Sequence, residues 1–401
     1  MENVSSSNGL EKRPKLRFPG FDEPWKENEL SHYLVENTER NRGLAFGKED
    51  VLSVSGEYGV INQIAFQGRS FAGESVADYH VVETDDIVYT KSPLKANPYG
   101  IIKVNKGIPG IVSTLYAVYH PLNTVAPRFV DLYFANDLRL NKFLKPLVNI
   151  GAKHDMKVNN SFVLTGTVVF PSIGEQQKLV DFFAKLDRRI EAQRKIVDTL
   201  KKYKRGLLTY AFEEMTLSDD ADSTTYLFSE IAQRRKEKYN PDCNVEYPCI
   251  ELEHIEQGTG RLLGSVSSKT QSSIKTVAKN GDVLFGKLRP YLRKFAFAEQ
   301  DIVCSSEIWA FVPSKYVIPK YLYYLVQTEH FLRVANISSG TKMPRAEWAN
   351  IEKEPFDIPY IPNQEKVVSI LEAVDKKISV SGDSLRMLLN FRDGLLQQLF
   401  I

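Results

Sequence analysis

Two basic turns studded with aromatic residues are the main chemical feature of this 401-residue sequence. In the first, Lys91, Ser92, Lys95 and Tyr99 surround a Pro-containing turn, and Lys153, His154 and Lys157 fill a later glycine-containing loop. In the second, Lys287, Arg289, Tyr291, Arg293 and Lys294 form the densest patch, joined by Thr341, Lys342 and Arg345. Lysine and arginine on loops suit contacts to phosphate oxygens, and Arg, Lys, Asn, Ser and Thr can read base edges in the major groove. A solvated charged face explains any one of these residues equally well. Their corresponding placement in two halves of the chain favours duplex-DNA contacts for the group.

Signatures of catalysis and metal binding are missing. Asn97-Pro98-Tyr99 resembles the Asn-Pro-Pro-Tyr of amino-methyltransferases but lacks the second proline, and no glycine-rich cofactor loop follows an upstream strand. There is no Walker motif, no metal-ligand histidine pair and no G-x-S-x-G, so no catalytic and no metal residues are assigned. The six histidines are scattered, as surface or core histidines would be. Cys243, Cys249 and Cys304 lack C-x-x-C spacing, which fits neither a disulfide framework nor a zinc site. The sequence holds 52 Lys+Arg against 50 Asp+Glu, so any basic surface is local. No 18-residue apolar run is present, and a cytoplasmic protein with no membrane partner is expected.

The elements that must carry these turns are written twice. Shifting the sequence by 188 residues lays Ile358–Phe400 on Phe170–Phe212 without a gap, with 12 identities in 43 positions. In the first copy Leu179, Phe183, Leu186, Ile190, Val197, Leu200, Leu207 and Ala211 recur at spacings of four and three. Val367, Leu371, Val374, Ile378, Leu385, Leu388, Leu395 and Leu399 do so in the second. Such a heptad seam winds two helices around each other, each about 55 Å long at about 1.5 Å per residue. Matching interruptions, Gln193 with Ser381 and Lys204 with Arg392, are expected to fix register. Ser172 and Glu175 read as a capping box at the first start, and Pro362–Asn363 can open the second helix. Gly382 among Ser379, Ser381 and Ser384 makes the middle of the second helix a poor helix former. The segment Lys185–Arg205 holds nine basic residues against three acidic ones, a net of +6 suited to a DNA backbone, an acidic partner or solvent.

The expected organisation is a disordered tail at 1–15, a globule at 16–170, a helix at 171–215, an acidic linker at 216–223, a second globule at 224–360 and a second helix at 361–401. Short β-rich runs in the first globule include Val81–Val82, Ile87–Tyr89, Ile101–Val104 and Ile111–Val118, and Pro127–Leu147 reads as a helix. Glu83–Lys91 echoes Lys279–Lys287, and Ile111–Tyr119 echoes Ile302–Phe311. The fold class is thus mixed α/β (α+β), with two globules alternating with two long helices.

This arrangement resembles the specificity subunits of Type I restriction–modification systems. The resemblance rests on the Pro-x-Ile-x-x-Gln-x-Lys starts at Pro171 and Pro359 and the Asp-basic-basic-Ile steps at Asp187 and Asp375. The Gly-Leu-Leu-x-x-x-Phe endings and the Phe18-Pro-Gly-Phe-x-x-x-Trp25 opening add to it. It implies two target-recognition domains, an antiparallel coiled coil that sets the gap between two half-sites, and no catalysis in this chain. It further implies two methyltransferase (modification) subunits that bind S-adenosylmethionine and restriction (translocase/nuclease) subunits as partners. The rival readings are a coiled-coil scaffold whose globules bind proteins, and a self-contained nuclease or methyltransferase.

Overall fold

The structure, a computed structural model, describes residues 12–150, 156–214, 223–242, 245–337 and 343–401, without the side chains of residues 150, 157 and 214. The chain forms two compact units, 1–192 with 385–401, and 193–384. Each long helix contributes to both.

In the first unit a four-stranded antiparallel sheet runs in the order Leu34–Asn37, Tyr116–Pro121, Ile87–Thr90, Ile102–Val104. Ile87, Val88, Tyr89 and Thr90 are all buried, so this central strand reads as a continuous apolar run rather than an alternation. Helices Pro127–Tyr133 and Asp137–Leu144 share its core through Phe129, Phe134, Leu140 and Leu144. One helix was expected here. Asn136 divides it by accepting from Arg139 N, a local cap that stops one helix and starts the next. The run Ile111–Val118 likewise splits, into Gly110–Val112 and Tyr116–Pro121, at the turn in which Tyr116 N donates to Ser113 O.

The second unit repeats this frame. Its four-stranded sheet runs Ala232–Arg234, Ile308–Pro313, Val283–Gly286, Phe295–Phe297, and helices Pro319–Leu325 and Glu329–Ala335 follow. The order matches the first unit strand for strand. The two differ in what is added. The second unit carries a five-stranded mixed sheet that includes Lys275–Ala278 and Ile302–Cys304; the first has the strand pairs Leu52–Ser55 with Gly59–Asn62 and His80–Val82 with Gly110–Val112.

The same polar bolts hold the frame in each unit. Gln176, fully buried, accepts from Ala126 N at 2.9 Å and donates to Pro171 O at 3.0 Å. Gln364, also fully buried, accepts from Ile318 N at 2.9 Å and donates to Pro359 O at 2.8 Å. Each amide thus ties a sheet-to-helix connection to the start of a long helix, satisfying donors and acceptors that burial would otherwise leave unpaired.

The long helices span Ile173–Thr209 and Ile361–Gln398. They run antiparallel within each unit, since in the first Phe183 meets Phe400 and Asp187 meets Arg392, and in the second Gln193 meets Ser381 and Lys204 meets Asp375. All four interruptions of the seam therefore make specific bonds. Gln193 Nε2 donates to Ser381 O at 2.9 Å, while Lys204–Asp375 (2.7 Å) and Arg392–Asp187 (2.6 Å) occupy equivalent positions of the repeat. Two local expectations fail. Glu175 is clamped by Arg17 at 2.9 and 2.7 Å, so the expected capping box is displaced by a bidentate ion pair. The Ser/Gly-rich middle of the second helix stays helical, because packing outweighs propensity there. A Cβ at Gly382 would meet nothing within 4 Å. Gly382→Ala is accordingly expected to stabilise the chain by about 0.5–1 kcal/mol, seen as a higher thermal midpoint.

Lys12, assigned by sequence to a disordered tail, accepts a backbone bond from Trp25 at 2.9 Å; the rest of that tail up to residue 11 lies outside the described residues. The linker up to residue 222 does too. The Phe18–Trp25 opening is a latch in the first unit. Phe18 packs edge-on to Phe182, Trp25 meets Phe129 and Phe400, and Leu16 N donates to Gln398 O at 2.9 Å.

Candidate nucleic-acid interface

The basic turns occupy the same place in both frames, the connection between the third and fourth strands of the four-stranded sheet. In the first unit this connection closes at Gly100, whose φ is +91° and whose absent Cβ would lie 2.0 Å from Thr90 O. No other residue fits there. Ser92 and Lys95 project into solvent. Tyr99 packs against the core, and its carbonyl accepts from the Tyr89 hydroxyl at 2.6 Å. Asn97 donates to Asp137 Oδ1 at 2.9 Å, so the Asn-Pro-Tyr triplet is occupied in bracing the turn against a helix. Lys91 is half-buried and donates to Asn160 Oδ1 at 3.2 Å; burial and Arg40 hold its pKa down, with Glu36 opposing. Lys153 and His154 lie outside the described residues, and Lys157 is described only in its backbone pairing with Asn149.

In the second unit the turn is zipped to residues 344–346. Arg289 N donates to Pro344 O at 2.8 Å, Ala346 N donates to Lys287 O at 2.8 Å, and Leu288 bridges Arg345. The structure thus brings Arg345 beside Lys287 and Arg289, as the sequence grouping supposed; Thr341 and Lys342 lie outside the described residues. Three of these cations are tied internally. Arg345 grips Glu307 at 3.0 and 3.2 Å, Arg293 grips Glu329 at 2.7 and 2.9 Å, and Lys294 donates to Leu252 O at 2.6 Å. Arg289 and Tyr291 are exposed. Arg289 and Arg293 have φ of +53° and +50°, an uncommon left-handed conformation for side-chain-bearing residues. Together they fold the turn around Pro290, which is buried.

Sequence reading missed a second layer of polar side chains beside these turns. Asn160 Nδ2 donates to Glu36 Oε1 at 3.0 Å, and the Tyr119 hydroxyl donates to Asn160 O at 2.9 Å. At the position 188 residues later stands Trp348, with the Arg234 guanidinium 4.7 Å from its ring and 5.6 Å from that of Trp309. Glu36 and Arg234 hold the same strand position, each opposite an aromatic residue (Tyr119, Phe311) of the neighbouring strand. The one sequence signal for Asn160 and Trp348 was the 188-residue shift, had it been extended backwards from the long helices.

Two histidines brace the fold. His120 pairs with buried Asp86 at 2.5 Å, and His330 pairs with Glu354 at 2.6 Å. Burial pushes the Cys249 and Cys304 thiols up to about 11 and about 12, far from a reactive thiolate. Cys243 lies outside the described residues. Among the described residues no group of three or more His, Cys, Asp or Glu could hold a metal ion, and no helix is long and apolar enough to cross a membrane.

The fold is that of solved Type I specificity subunits. The S subunit of the Type-I restriction-modification system of M. genitalium aligns with a TM-score of 0.58 at 14% identity, over 97% of this chain and 99% of that one. A chain from a structure of complex assembly and conformational transition of the type I R-M system aligns with a TM-score of 0.53 at 15% identity, over 96% and 99%. Residues 225–385 match the family model described as Type I restriction modification DNA specificity domain. In sequence the chain is similar to the Type I restriction enzyme EcoDI specificity subunit of Escherichia coli, 24% identical over 51% of this chain. It is also similar to the HindI specificity subunit of Haemophilus influenzae, 26% identical over 32% of this chain. The chain spans about half the length of the first of these relatives, 54%, and 29% of the second.

Proposed function

We infer that this chain is the DNA sequence-specificity subunit of a Type I restriction–modification complex. The observation that carries the reading is the doubled frame: one strand order, one glutamine bolt and one basic turn, presented twice with different exposed side chains. A reader of two unlike half-sites needs a fixed scaffold and variable contacts. Each globule takes one half of a bipartite duplex target, and the long helices set the gap between the halves. Catalysis, with S-adenosylmethionine bound for methyl transfer, belongs to two modification subunits, and restriction subunits join for cleavage.

The long helices also carry a feature suited to docking two copies of one partner. Ile196, Thr199, Tyr203, Gly206 and Tyr210 form a second seam at spacings of three and four on the first helix, and all are exposed. On the second helix Ser384, Met387, Phe391 and Gly394 stand 188 residues after the first four of these. Tyr203 is 57% exposed and its counterpart Phe391 55%. Gly206 and Gly394 have nothing within 4 Å of where a Cβ would stand, although glycine costs about 1 kcal/mol against alanine in an exposed helix. That cost is understandable where another helix approaches closely. Exposed basic pairs, Arg188–Arg189 and Lys376–Lys377, lie about two turns before each seam and match an acidic flank. The occupant is an amphipathic helix of the modification subunit, one at each seam.

Titration of bipartite duplexes at several salt concentrations tests the DNA contacts. Lys95→Ala is expected to weaken binding about equally for all sequences and to lower the log–log salt slope by about one. Arg289→Ala is expected to relax preference at one base pair by about 1–3 kcal/mol. Unchanged affinity and slope in both variants would favour a protein-binding scaffold.

A further inference from the structure

We propose that Asn160 is a base-reading side chain selective for adenine in the half-site bound by the first unit. The inference rests on the DNA-reading function above and deepens it. Asn160 opens the short helix Asn160–Val163, which Asn159 caps through Ser161 N and Phe162 N. Three other elements fix it. The Tyr119 hydroxyl holds its carbonyl at 2.9 Å, Lys91 donates to Oδ1 at 3.2 Å, and Glu36 accepts from Nδ2 at 3.0 Å. A carboxylate on one side and an ammonium on the other leave the amide one orientation, because only Nδ2 can face Glu36 and only Oδ1 can face Lys91.

An asparagine amide has two N–H donors and two acceptor lone pairs. Glu36 takes one donor and Lys91 one acceptor, so one of each remains. That pair complements adenine in the major groove, which offers the N7 acceptor beside the N6 donor; guanine offers two acceptors there. Asn160 is half-buried, and its neighbours Lys91 and Asn159 line a cavity of about 590 Å³ with Thr114, Leu115 and Phe162 among others. Preorientation lowers the entropy lost on binding. The counterpart position in the second unit holds Trp348 against Arg234 at 4.7 Å, so one frame presents an amide in one unit and a guanidinium on an indole in the other.

The experiment uses the full chain assembled with its modification subunit. After the wild-type methylated motif is mapped, each adenine of the first unit's half-site is replaced in turn by 7-deazaadenine, which lacks the N7 acceptor. One substitution is expected to weaken wild-type binding by about tenfold or more. Asn160→Ala should abolish that sensitivity and accept other bases at that position alone. Two results would overturn the proposal: wild-type indifference to 7-deazaadenine throughout the half-site, which needs no variant to fold, or an Asn160→Ala complex weakened evenly for all bases with its 7-deaza sensitivity intact. The latter would make Asn160 a brace between Lys91 and Glu36. A wild-type complex with no bipartite preference would instead sink the underlying function, and this proposal with it.

Discussion

A chain carrying Tyr203→Lys is expected to bind one modification subunit where two are proposed for the native chain, and Phe391→Lys should do the same at the equivalent seam. Both aromatic rings are more than half exposed, so the folded chain loses little when they are replaced. In an interface each would be a central anchor, and truncating such anchors typically weakens binding by 2 kcal/mol or more, about 30-fold. A lysine adds the desolvation of an unpaired charge. The double variant is expected to bind neither subunit at micromolar concentration while keeping its thermal midpoint. Native mass measurement or sedimentation of the mixtures reads the stoichiometry directly. Two bound subunits on the double variant would move the docking site off these helices.

The equivalent ion pairs of the two helices are expected to differ sharply in their contribution to stability. The Lys204 and Asp375 side chains are 7% and 26% exposed, and Asp375 also accepts from the Tyr324 hydroxyl at 2.9 Å. Removing Lys204 leaves that carboxylate without its cation in a dry setting, where breaking one side of a pair costs about 3–5 kcal/mol. The Arg392 and Asp187 side chains are 25% and 42% exposed, and water screens what is lost there to about 1 kcal/mol or less. Lys204→Met should therefore lower the unfolding midpoint strongly and Arg392→Met barely. Replacing Lys204 and Asp375 together by apolar residues should recover most of the loss. Equal effects at the two sites would contradict the burial difference.

What the sequence made legible follows from how far apart the interacting residues lie. The long helices were readable because a heptad is a local pattern, and their pairing because the pattern occurs twice. The positions of the seam breaks were readable as well, but their partners were not. Lys204 and Arg392 aligned with each other, yet each bonds an aspartate of the other helix. The basic turns were visible as charge. Which charges remain free was not, since Arg293, Lys294 and Arg345 are bound to Glu329, Leu252 O and Glu307, partners that no spacing rule selects. Asn160 was invisible for the same reason. Its partners Lys91 and Glu36 stand 69 and 124 residues away and meet only once the sheet has formed. The break at Asn136 was legible in principle, since asparagine before a helical run is a cap signal, but the apolar pattern across it outweighed the cap.

The central claim is that each unit reads one half of a bipartite target. It is tested most directly by exchanging residues 224–360 for the corresponding region of another specificity subunit. The DNA of cells expressing the exchanged chain with its modification subunit is then sequenced for methylated motifs. One half of the motif is expected to change to that of the donor, with the other half retained. A motif that changed in both halves, or in neither, would contradict the account.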